Sequence, residues 1–74
     1  MEVKVNRLLF SSDGKECRIV FANGKESLYY EYIEDAMNAI TDCWNQGKIS
    51  SQEFGEFTAQ ILGAENLPYK AKTR

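Results

Sequence analysis

Asp42-Cys43-Trp44-Asn45-Gln46-Gly47-Lys48-Ile49-Ser50-Ser51-Gln52-Glu53-Phe54 decides between two architectures, a calcium loop and the turn of a helical hairpin. An EF-hand loop draws oxygen ligands from positions 1, 3, 5, 7, 9 and 12 and needs glycine at 6. With Gly47 at 6, Asp42 falls at 1, Ile49 at the apolar 8, Ser50 at 9 and Glu53 at 12. Positions 3 and 5 then hold Trp44 and Gln46, and Trp44 has no oxygen to give. EF-hands also work in pairs, and the sequence offers no second loop. The hairpin accounts for the same residues more simply. Gly47 suits the positive φ that closes a helix. Ser50 and Glu53 match the S-x-x-E capping box, and Ile49 and Phe54 are placed as a hydrophobic staple. The expectation is a helical turn with no metal site; a degenerate EF-hand-like calcium protein is the weaker alternative.

Working outward, the hydrophobic period is close to 3.6 on both sides of the turn. Ile33, Ala36, Met37, Ile40, Cys43 and Trp44 form one stripe; Phe54, Phe57, Thr58, Ile61 and Leu62 form another, ending at Gly63. Glu34 and Asp35 suit the positive end of the first helix. Trp44 reads as a core anchor between helix and sheet. Gly55 is costly inside a helix and is explained if it lets the two helices approach closely. Upstream, the period is two. Val3–Phe10, Cys17–Ala22 and Ser27–Tyr32 read as strands. Ser11-Ser12-Asp13-Gly14 and Asn23-Gly24 are the turns between them.

These elements predict an α+β domain of two layers, a three-stranded antiparallel meander followed by a helical hairpin (βββαα). Residues 1–66 form the single domain, and 67–74 a basic C-terminal tail with Leu67-Pro68-Tyr69 in a loop. Simple alternation puts Val3, Val5, Leu9, Ile19, Phe21, Leu28, Tyr30 and Tyr32 on the covered face. The opposite face then carries Lys4, Asn6, Arg18 and Glu31 together with Leu8, Phe10, Val20 and Tyr29. That is more apolar than a solvated face needs, so it is a candidate surface for a protein partner or a second copy of the chain, giving a dimer. Leu8, Phe10, Arg18, Val20, Tyr29 and Glu31 are its candidate residues, joined by Glu53 and Glu56 from the acidic second helix.

Composition narrows the chemistry. Seventy-four residues bury a small core, so such a domain often leans on a partner. There is no histidine, which removes the commonest general base and metal ligand. The five glycines are scattered rather than gathered into a phosphate loop. These features argue against an enzyme and against a bound cofactor. Cys17 and Cys43 form no C-x-x-C pair, and with no signal peptide they suggest a reduced, cytoplasmic chain. The apolar runs are too short to span a membrane.

Charge is uneven. Residues 1–33 are neutral, 34–66 carry six acids and one base, and 67–74 carry Lys70, Lys72 and Arg74. The acidic helical half repels nucleic acid. The sheet aromatics Phe10, Phe21, Tyr29, Tyr30 and Tyr32, with Arg18, Lys4 and the basic tail, keep a nucleic-acid-binding module as an alternative. No RNP-like Gly-aromatic run supports it.

Two resemblances add to this reading. Gly47-Lys48-Ile49-Ser50 with Glu53-Phe54 resembles the helical hairpin of short bacterial oligomerisation modules, which implies association. Trp44-Asn45-Gln46 near the end of the first helix, followed by Glu53, Phe54 and Ile61, resembles a phage anti-CRISPR family with a small antiparallel sheet and two helices. That resemblance implies an acidic inhibitor seated in the DNA-reading channel of an RNA-guided nuclease. The family places a densely acidic segment directly after Trp-Asn-Gln, where this chain has Gly47-Lys48-Ile49-Ser50-Ser51-Gln52. It also begins with a helix, where this chain begins a strand. The likeness therefore extends to size and layout, and the expected function is a small non-catalytic protein-binding or inhibitor module of phage or mobile-element type.

Overall fold

The helical hairpin forms as the sequence dictates. In the computed structural model, which describes residues 3–63 and 72, helix α1 spans Ile33–Asn45 and helix α2 spans Ser51–Ile61. Helix α1 ends in a Schellman motif. The Lys48 N–H donates to the Cys43 carbonyl at 2.9 Å and the Gly47 N–H to the Trp44 carbonyl at 3.1 Å. Gly47 takes the φ of 76° that this geometry needs. Three residues later the capping box is complete. The Glu53 N–H donates to Ser50 Oγ at 3.1 Å, and the Ser50 N–H donates to Glu53 Oε1 at 2.9 Å. Helix termini leave unpaired backbone groups, so a stop and a start this close together fix the chain's reversal with few residues.

Strand β1 (Val5–Phe10) pairs antiparallel with strand β2 (Cys17–Phe21). Their connection closes through Ser11, whose N–H reaches the Glu16 carbonyl at 3.0 Å. The pairing runs Val5 to Phe21, then Arg7 to Val20, so Asn6 is an extra residue in β1. This bulge has a large consequence, because shifting a strand by one residue exchanges its faces. Val5 points into the core before the bulge, and Leu8 and Phe10 do so after it. The expectation that Leu8 and Phe10 line the outer face is therefore corrected. Leu8 is buried in the core and Phe10 packs against it. Leu9, expected inside, alternates with them.

The third strand does not form as a regular strand. Val20 faces Glu26, but Cys17 faces Tyr30, so three steps along β2 are matched by four along 26–30. The extra residue is accommodated at Ser27. Its N–H donates to the Ile19 carbonyl at 2.9 Å, while the Ile19 N–H turns to Ser27 Oγ at 2.8 Å instead of to a carbonyl. The same hydroxyl donates to the Leu28 carbonyl at 2.9 Å. A serine side chain thus competes with the ladder, as short hydroxyl side chains do. Pairing resumes at Tyr30, which exchanges both backbone hydrogen bonds with Cys17 at 2.7 and 3.1 Å. The Asn23-Gly24 turn is a three-residue connection rather than a two-residue one. The Phe21 N–H reaches the Lys25 carbonyl at 2.8 Å, with Gly24 at φ 89°.

Sheet and helices share one core, so the α+β class holds. Val5, Leu8, Cys17 and Ile19 from the sheet meet Ala36, Ile40, Cys43, Phe57 and Ile61 from the helices. Ile49, from the turn, is buried among them, and Phe54 packs against the same cluster. Two expectations in the helices change. Trp44 is not an anchor between helix and sheet; it is 40% exposed and stacks on Phe54 across the hairpin, ring centroids 4.3 Å apart. Gly55 does not permit close helix approach, because a Cβ built there meets nothing within 4 Å. The expected 66/67 domain boundary, the Leu67-Pro68-Tyr69 loop, Lys70 and Arg74 lie outside the described residues. Lys72 is described, and it pairs in parallel with Tyr32.

Candidate functional site

The slip at Ser27 builds the most distinctive surface of the molecule. Leu28 is 84% exposed and Tyr29 51% exposed, side by side on the displaced segment. On β2, Cys17, Ile19 and Phe21 face the core, so Arg18 and Val20 face outward. Arg18 is held from two directions. Its Nη1 lies 2.8 Å from Glu26 Oε1, and its guanidinium sits 3.6 Å over the Tyr29 ring centroid. An arginine plane over an aromatic face is a favourable electrostatic contact, and it immobilises both side chains. Val20 is buried on this outer side.

Of the eight candidate residues, the structure brings together Arg18, Val20 and Tyr29. Glu31 is exposed one residue beyond Tyr30. Leu8 and Phe10 belong to the core side. Glu53 and Glu56 lie on α2, where each has a local partner. Glu53 closes the capping box, and Glu56 Oε1 accepts from Gln52 Nε2 at 3.3 Å. Their local engagement is that of a solvated helix face. Leu28 and Glu26 were missed. Leu28-Tyr29-Tyr30 offered the signal, since three large side chains in a row cannot alternate cleanly between two faces.

The calcium reading meets a direct geometric obstacle. Asp42 is inside helix α1, and the Glu53 carboxylate is turned toward the Ser50 N–H. Among the described residues, no group of three or more Cys, Asp or Glu side chains is placed to hold a metal ion.

A second feature lies beside the Ser11–Glu16 turn. A cleft of about 190 Å³ is lined by Asp13, Lys15, Glu16, Glu31 and Lys72. Asp13 is tied into the turn. Its Oδ1 accepts from Ser11 Oγ at 2.6 Å and from the Lys15 N–H at 3.0 Å. These bonds, the Ser11 hydroxyl foremost, favour the charged form and hold the Asp13 carboxyl below the usual aspartate range. Glu16 and Glu31 form no ion pair among the described residues.

Comparison with protein-family models, with curated proteins and with solved structures found no match. No helix of the described residues is long and apolar enough to cross a membrane.

Proposed function

We propose that this chain is a small, non-catalytic protein-binding module of the cytoplasm that docks a partner protein through Leu28 and Tyr29, with Arg18 as the charged contact. One observation carries the proposal. Leu28 stands almost fully in water beside a tyrosine whose position is already fixed by Arg18 and Glu26. Covering a leucine is worth about 1.5–3 kcal/mol, and tyrosine and arginine are the residue types that dominate binding energy at interfaces. A contact ordered before binding loses less entropy on association. The buried thiols of Cys17 and Cys43 agree with a reducing compartment. A compact inhibitor of the phage type is one concrete form of such a module, and self-association is another.

The nucleic-acid alternative is disfavoured at the same residues. Base stacking needs an open aromatic face, and the Arg18 guanidinium covers one of the two faces of Tyr29, leaving only the other for a base. The test compares the chain with its Leu28→Asp variant, using Lys25→Ala as a surface control. Immobilised chain should retain a protein, or the free chain should dimerise in light scattering, and Leu28→Asp alone should lose that association. Identical behaviour of all three, or a strict monomer that retains nothing, refutes the proposal.

A further inference from the structure

The outer edge of the 30–33 segment is a place where the sheet accepts another strand. Tyr30 directs its backbone bonds to Cys17, so the next residues direct theirs the other way. There the Glu31 carbonyl accepts the Lys72 N–H at 3.2 Å, and the Ile33 N–H donates to the Lys72 carbonyl at 3.0 Å. Lys72 is thus seated as one residue of a parallel strand on this edge. Among the described residues it is held by two backbone bonds, with its side chain exposed. Among the described residues, a cleft of about 190 Å³ lies beside Lys72, lined by three carboxylates, Asp13, Glu16 and Glu31, and by Lys15. The Glu16 and Glu31 carboxylates carry no cation among the described residues.

We propose that this edge is a binding groove for an extended, lysine-bearing segment of a partner protein, and that Lys72 is a resident stand-in which such a segment displaces. Strand addition draws its affinity from backbone bonds and its specificity from side-chain pockets. Here Glu31 and Ile33 supply the bonds, and the cleft, whose three carboxylates outnumber Lys15, takes the basic side chain. The surface is separate from Leu28–Tyr29, and the proposal does not depend on that one.

A fluorescein-labelled peptide of the sequence Leu-Pro-Tyr-Lys-Ala-Lys-Thr-Arg, that of residues 67–74, is the probe. Apparent affinity falls by the fraction of time the groove is open, so a stand-in seated nine-tenths of the time masks about tenfold. The full chain carrying Lys72→Pro lacks the N–H that reaches Glu31, so it should bind the probe at least about tenfold more tightly than the unmodified chain. Adding Glu16→Lys and Glu31→Lys should abolish that binding, while adding Leu28→Asp should leave it intact. Should Lys72→Pro fail to fold, Lys72→Glu replaces it. On the unmodified chain, millimolar probe should move the Ile33 amide resonance. Equal affinity of the two chains, an unmoved Ile33 amide, or a dimer of the unmodified chain that exchanges Lys72 between copies would each overturn the proposal.

Discussion

Gly55→Ala should stabilise this protein. Gly55 lies in the first half of helix α2, is exposed, and is absent from the glycines with positive φ. A Cβ placed there has nothing within 4 Å. Alanine therefore meets no clash, loses no favourable backbone conformation and restricts the unfolded chain. The gain expected of a glycine replaced inside a helix is about 1 kcal/mol. For a domain of this size that raises Tm by about 4–8 °C. The protein has one tryptophan, and Trp44 stacks on Phe54, the residue before Gly55, so its fluorescence reports loss of the hairpin. Urea unfolding followed at Trp44 should show a higher midpoint at unchanged slope, with helix content by circular dichroism giving the same curve. A destabilised variant would refute the reasoning, because it would mean that the backbone at Gly55 is closely approached.

Ser27→Ala should cost about 1–3 kcal/mol, since it strands the part-buried Ile19 N–H that now donates to the hydroxyl; urea unfolding measures it. Asp13 titrates below the ordinary aspartate value, so its contribution is present above that value and is lost as pH falls through the lower folded one. Carbon NMR of the Asp13 carboxyl should place the midpoint there, and Ser11→Ala should move it upward. Cys17 and Cys43 are buried to within 1% and 6% of full cover, so a thiol reagent should label the native chain slowly and the urea-unfolded chain at once.

How much of this was legible in the sequence varies with the range of the interaction. Gly47, Ser50 and Glu53 act within a few residues of one another, so their types and spacing dictated the Schellman stop and the capping box. Ile49 and Phe54 were readable as apolar positions flanking the cap, and both reach the core. The sheet was less so. Alternation assigns faces only while the register is regular, and two extra residues, at Asn6 and in the Ser27–Tyr30 step, break it. Asn6 carries no local mark of a bulge. The bulge at Asn6 is what simple alternation misses when it assigns Leu8 and Phe10 to the outer face. Trp44 failed for another reason. It sits one residue past Cys43 at the margin of the stripe, and whether such a residue turns to the sheet or to the neighbouring helix depends on what lies across the hairpin. Phe54 lies there. The cleft was unreadable, since it joins residues 13 to 16 with 31 and 72.

The two irregularities have opposite effects on the surface, and together they set which apolar side chains reach it. The bulge at Asn6 draws apolar side chains inward, so Leu8 and Phe10 complete the core and leave β1's outer face poorer in large apolar groups. The slip at Ser27 does the reverse. It takes Leu28 out of the alternation and leaves it 84% exposed. A regular third strand would have placed Leu28 and Tyr30 inside together and left Tyr29 outside alone. A small core gains from each leucine it covers, and leaving one in water forgoes about 1.5–3 kcal/mol. The fold nevertheless holds the slip in place with three hydrogen bonds through Ser27 and stiffens its outer side with Arg18 and Glu26. An irregularity so fully hydrogen-bonded is a built feature of the sheet, and its product is an ordered, apolar, protruding contact.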